Sequence, residues 1–157
     1  MSATVRSRIA RSRIVNAPLL AALVLAAVAQ VHAAGLPRTP RPADAELYII
    51  SPVDGAVVRG PVRVQFGLRG LGVAPAGSTG AAAEGTGHHH LLVDAPLPAM
   101  DQPLPKDAQH IHFGKGQTET ELELAPGKHT LQLVFADANH IPHAPPLVSK
   151  PVHITVR

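Results

Sequence analysis

Histidine is the residue type whose abundance and spacing suggest chemistry. The 157-residue chain carries ten, and seven of them fall in three tight groups: His88-His89-His90, His110-Ile111-His112 and His140-Ile141-Pro142-His143. Imidazole is the commonest metal-ligating side chain and suits zinc, copper(II) and nickel. Thiolate chemistry is excluded because there is no cysteine, and Met100 is the one thioether beyond the initiator. In an extended strand, His88 and His90 point to the same face with Cα atoms about 7 Å apart, and so do His110 and His112, a spacing that lets two rings converge on one ion. His89 points the other way, with Leu91 and Val93. The candidate ligands are therefore His88, His90, His110, His112, His140 and His143, and the candidate ions are copper and zinc. Asp137 or Asn139 is placed to orient a ring by accepting from its second nitrogen. His129 and His153 read as ordinary strand residues.

Other site chemistries find less in the sequence. A cupin-like metalloenzyme needs Glu119 to join the histidines, yet Glu119 follows His112 by seven positions, and the later Pro126-Gly127-Lys128-His129 has the wrong spacing. Gly114-Lys115-Gly116 lacks the flanking residues of a phosphate-cradling loop. Ser51, Ser78 and Ser149 have no nucleophile-elbow context. The alternative outside metal chemistry is a protein- or glycan-binding module whose histidines pin long loops by hydrogen bonding.

The elements that must position these groups show period-2 alternation and no helical periodicity. Residues 46–51 form the first expected strand, closed by the turn Ser51-Pro52-Val53-Asp54-Gly55. In residues 62–68 Val62, Val64, Phe66 and Leu68 alternate with polar positions. Residues 88–94, 118–124, 129–135 and 152–156 complete the evident strands. Ala125-Pro126-Gly127-Lys128 is expected to close 118–124 and 129–135 into a hairpin. That hairpin makes HIHFGKGQ and DANHIPH neighbours at one end of a sheet. The fold class is all-β, a small immunoglobulin-like antiparallel sandwich of about seven strands. Residues 70–87, rich in small side chains, and residues 95–109, rich in proline, are long enough to be functional loops.

Charge places the protein. The net charge of +3 and pI near 9.8 suggest a polyanion partner, but four arginines lie at positions 6, 8, 11 and 13, ahead of the apolar run Leu19 to Ala29. A basic start, a short apolar core and Val31-His32-Ala33 before Ala34 make residues 1–33 a secretory signal peptide, too short in its apolar run to span a membrane. Setting aside those four arginines leaves ten Lys and Arg against eleven Asp and Glu. The electrostatic case for nucleic acid goes with the leader. The expected organisation is a signal at 1–33, a Pro-rich linker at 34–45 and one histidine-rich β-sandwich at 46–157. The location is periplasmic or secreted, with no transmembrane span after cleavage.

The strings SPVDGAVV, GLGVAPAG, GHHHLLVD and QPLPKDAQHIHFGKGQTETELELAPGKHTLQLVFADANHIPH, with a terminal ITV strand, resemble an uncharacterised family of small exported bacterial domains, a domain of unknown function. The resemblance covers about residues 46–157. It implies a compact β-domain in the cell envelope and supplies no reaction. The histidines that fall within its motifs are His88, His89, His90, His110, His112, His129, His140 and His143. Residues 78–86 depart from it, which argues against a side-chain-specific role for that loop. A weaker likeness to immunoglobulin-like bacterial sandwiches rests on the S-P-x-D-G turn and PGKHTL, and implies architecture alone. The function expected from these readings is a non-enzymatic metal-binding envelope protein.

Overall fold

The computed structural model describes residues 36–157, so the signal peptide expected at 1–33 lies outside the described residues. Ten strands follow in chain order: β1 (Glu46–Ser51), β2 (Ala56–Val58), β3 (Val62–Arg69), β4 (Gly72–Val73), β5 (Thr86–Val93), β6 (His110–His112), β7 (Glu119–Leu122), β8 (Gly127–Ala136), β9 (Pro142–Val148) and β10 (Val152–Val156). They build two sheets, one in the order β1-β3-β7 and one running β2-β10-β8-β5-β4, with β6 pairing β5 and β9 pairing β8. Among the described residues no helix is long and apolar enough to cross a membrane.

Alternation decides which faces meet. Leu47 from β1 and Val62, Val64 and Phe66 from β3 pack with Leu91 and Val93 from β5, Leu131, Leu133 and Phe135 from β8, and Val152, Ile154 and Val156 from β10. Each large side chain fully buried here contributes about 1.5–3 kcal/mol relative to exposure, so this shared core holds the two sheets together. On the outer surface of the smaller sheet the Tyr48 ring lies over Gly67, its cross-strand partner, where any Cβ would overlap it.

The expected hairpin does not form. β7 pairs β3, in register Val62↔Leu122, while β8 pairs β5, β9 and β10. The Pro126-Gly127 turn therefore carries the chain from one sheet to the other. An arch and a hairpin reverse the chain alike, so the start of β7 and the end of β8 still lie at the same end of the molecule.

The larger sheet also has a covered outer face. Leu92, Val134 and Ala136 point outward there and are capped by Leu104, with Ala95, Met100 and Val148 packed beside them. The Pro-rich segment 95–109 is thus a lid over β5, fixed where Leu104 N–H donates to the His140 carbonyl. Segment 36–45 runs along β9: Pro40 bridges Ala144, Arg38 donates to the carbonyls of Pro142 and His143, and Arg41 donates to that of Pro145.

Candidate metal centre

β5 divides its three histidines between two environments. His88 and His90 share the outer face with Leu92, beneath the 95–109 lid, and are 0% and 1% exposed. His89 points into the shared core, its ring 5.0 Å from Phe66 and 5.1 Å from Phe135 between centroids. The β5–β6 ladder then places His112 directly opposite His90. The fourth imidazole comes from the turn after β8, where His140 adopts a φ of 66°.

The four rings meet. His88 Nε2 and His90 Nε2 are 3.0 Å apart, and His112 Nε2 and His140 Nε2 are 3.1 Å apart. Nitrogens of His88, His90 and His112 all fall within 4.8 Å of one another. Ring centroids of the four lie 4.7 to 5.9 Å apart in every pairing. Two are wholly buried while His112 and His140 are half-buried, so the group opens to solvent on one side.

Electrostatics keeps the buried pair neutral. Burial, reinforced by the neighbouring His140 and His112, pushes His88 down to about 4. Burial likewise pushes His90 down to about 2, helped by His88 and His112. His112 is lowered by burial and then by His140. Neutral imidazole is the metal-binding form. The second nitrogens, His88 Nδ1 and His90 Nδ1, are buried with no protein partner. The inward-turned Nε2 pairs suit an electrophile placed between them.

Asp137 builds the turn that presents His140. Its Oδ1 accepts from the Asn139 and Ile141 N–H groups at 2.9 and 3.1 Å, and its Oδ2 from Thr39 Oγ1 at 2.9 Å. It orients backbone rather than a ring. Asp137→Ala strands the buried Ile141 N–H and releases the turn, at a cost of about 2–3 kcal/mol. Urea unfolding is expected to show that loss and imidazole NMR a displaced His140, with Asp137→Asn milder in both. Gly114 makes room beside the site, since a Cβ there would stand 2.2 Å from His112 Cε1. The first part of the 70–87 loop rims the same opening, with Ala76 N–H donating to the Gly114 carbonyl and Gly77 N–H to that of Ala138.

The other histidines have separate partners. His110 sits opposite Leu92 but its Nδ1 is 2.9 Å from Asp107 Oδ1, which also accepts the His110 N–H. His143, fully buried, stacks on Phe135 at 5.8 Å and 19°, inside the core. Of the six expected ligands, the structure thus brings His88, His90, His112 and His140 together and places His110 and His143 elsewhere. His129 Nδ1 faces Asp94 Oδ2 at 2.7 Å and Nε2 faces the Ala125 carbonyl at 2.8 Å. Two acceptors require both nitrogens to donate, and these contacts, the carbonyl foremost, raise its pKa. Asp54 holds His153 at the surface. Glu119 lies on the outer face of the smaller sheet, paired with Arg63 at 2.8 Å. It cannot join the histidines, which removes the cupin-like ligand set.

A family profile described as Domain of unknown function (DUF4399) matches residues 64–157, which include all four converging histidines. No curated protein and no solved structure matches the chain.

Proposed function

We propose that this chain, which belongs to the DUF4399 family of domains of unknown function, is an exported, non-enzymatic metal-binding protein of the cell envelope that holds copper or zinc. Its framework is an immunoglobulin-like sandwich, a reading supported by two sheets that share one core. The observation that carries the proposal is the pair of Nε2–Nε2 approaches, 3.0 and 3.1 Å, among four converging rings. Nitrogens bound to a tetrahedral ion at 2.0–2.1 Å stand about 3.3–3.4 Å apart. The two short approaches are near that spacing, while the nitrogens of His88, His90 and His112, within 4.8 Å of one another, would close in by up to about 1.5 Å around an ion. Borderline ions that favour nitrogen over oxygen or thiolate fit such a donor set. His88, His90, His112 and His140 would be the ligands. Location in the periplasm or outside the cell is part of the proposal and rests on the basic, apolar leader in the sequence.

Calorimetry on the untagged chain tests it, with one ion of zinc or copper expected per chain. Absence of binding at micromolar metal would sink the proposal. Gly114→Ala is expected to weaken binding by about 10–100-fold, because the new methyl occupies the space of the His112 ring while Gly114 itself needs no left-handed backbone.

A second reading, recognition of an envelope protein or glycan, draws support from a groove of about 680 Å³ between β1 and β9–β10. Arg41, Tyr48, Asp54 and Lys150 are among its lining residues. It predicts that Tyr48→Ala abolishes capture of an envelope ligand and leaves metal binding unchanged.

A further inference from the structure

The disposition of the four rings distinguishes between the two metals. An imidazole bound through Nε2 at 2.0–2.1 Å puts its ring centre about 3.2 Å from the ion. Four such rings at tetrahedral corners are separated by about 5.2 Å in every pairing; in a square they stand about 4.5 Å apart along the edges and about 6.4 Å across the two diagonals. The diagonals of a square are two pairings with no ring in common.

Three such divisions of the four rings exist. His88–His90 and His112–His140 are 4.9 and 4.7 Å. His88–His140 and His90–His112 are 4.9 and 5.1 Å. His88–His112 and His90–His140 are 4.9 and 5.9 Å. His90–His140, at 5.9 Å, lies toward a diagonal, but its complement His88–His112, at 4.9 Å, does not, and a square needs both. The set is a distorted tetrahedron, with the nitrogens of His88, His90 and His112 mutually close and His140 set farther out. We infer that the four imidazoles form a closed tetrahedral site whose resident ion is zinc rather than copper(II), an inference that rests on the metal-binding reading above.

The scaffold resists flattening. His88 and His90 are fixed on β5 by a ladder with β8 running from His88↔Ala136 to Val93↔Leu131. His112 is held opposite His90 by the β5–β6 pairing, and His140 by the Asp137-centred turn. Opening either opposed pair to a square would pull β6 off β5 or unwind that turn. Zinc, with no geometric preference of its own from d-electrons, accepts the tetrahedron, whereas copper(II) favours tetragonal coordination. Copper(I) is tetrahedral as well but selects thiolate and thioether donors, and this set has neither.

Cobalt(II) reports the geometry directly. The full-length, untagged protein titrated with cobalt is expected to develop the intense visible absorption of a tetrahedral ion at one equivalent, bleached by one equivalent of zinc. Copper(II), where it binds, is expected to give an electron paramagnetic resonance spectrum with the compressed parallel hyperfine splitting of a tetrahedrally distorted site. His140→Ala is expected to alter the cobalt spectrum while leaving one binding site. An unchanged spectrum in that variant would show the fourth ligand to be something else and overturn the closed site. A weak six-coordinate cobalt spectrum, or a tetragonal copper signal that excess zinc does not remove, overturns the zinc assignment and leaves metal binding standing. Failure to bind cobalt, copper or zinc overturns both.

Discussion

Zinc at a thousand times its dissociation constant is expected to raise the melting temperature of this protein by about 15 °C. Binding to the folded state alone stabilises by about 4 kcal/mol at that ratio, and each kcal/mol moves the midpoint of a domain of this size by about 3–5 °C. His90→Ala removes one of four ligands from the dry floor of the site, so its affinity is expected to fall by at least about 100-fold and the shift at the same zinc concentration to shrink to about 5 °C or less in a thermal scan. His129→Ala is the control. That ring is held by Asp94 and Ala125 on another part of the surface, so the metal-induced shift is expected to persist although the metal-free protein is weakened. An undiminished shift in His90→Ala would show that the ion sits elsewhere.

The metal-free protein is expected to unfold in mild acid through the two histidines in its core. Burial pushes His89 down to about 4 and lowers His143 as well. Both rings are fully buried with no ring nitrogen in good hydrogen-bond geometry, and the nearby backbone of Gln117 for His89 and of Phe135 for His143 only partly offsets the burial. The folded state thus holds these rings neutral, while the unfolded chain takes up protons below about pH 6.5. Their contribution is complete above that pH and is lost as pH falls toward the folded value. For His89 a drop from 6.5 to about 4 is worth about 3 kcal/mol. His89→Leu keeps an apolar body between Phe66 and Phe135 and removes two stranded nitrogens. It is expected to gain about 1–3 kcal/mol at neutral pH and to move the acid midpoint downward. Urea melts across pH 4 to 7 check this, and an unmoved acid midpoint would assign acid unfolding to the carboxylates instead.

How much of this was legible in the sequence differs from element to element. β1, β3, β5, β8 and β10 follow apolar alternation and lie within a residue or two of where the sequence put them. β9 was invisible because Pro142, Pro145 and Pro146 remove the N–H groups a strand normally offers. It survives because its carbonyls find other donors, the guanidinium groups of Arg38 and Arg41, which no local pattern announces. The arch was missed because Pro-Gly turns chains within a sheet and between sheets alike, and only the register of β7 on β3 separates the two.

Within the histidines, period-2 spacing correctly divided His88 and His90 from His89. It could not tell His110 from His112, both of which face the same way on β6. The signal for His110 was Asp107, three residues earlier, whose carboxylate captures both its N–H and its ring. His143 differs from His140 because one lies on a strand facing the core and the other on a turn, a distinction that required β9 to be recognised.

The ligands come from chain segments far apart in sequence, His88 and His140 being separated by 52 positions. An ion held between them is a cross-link in the sense that a disulfide is, and closing a loop of that length is worth about 4 kcal/mol in chain entropy. In a chain without cysteine, such a staple would be indifferent to thiol oxidants and reductants. Chelators and acid would open it instead, so the stability of this domain would follow the metal content of its surroundings rather than their redox state.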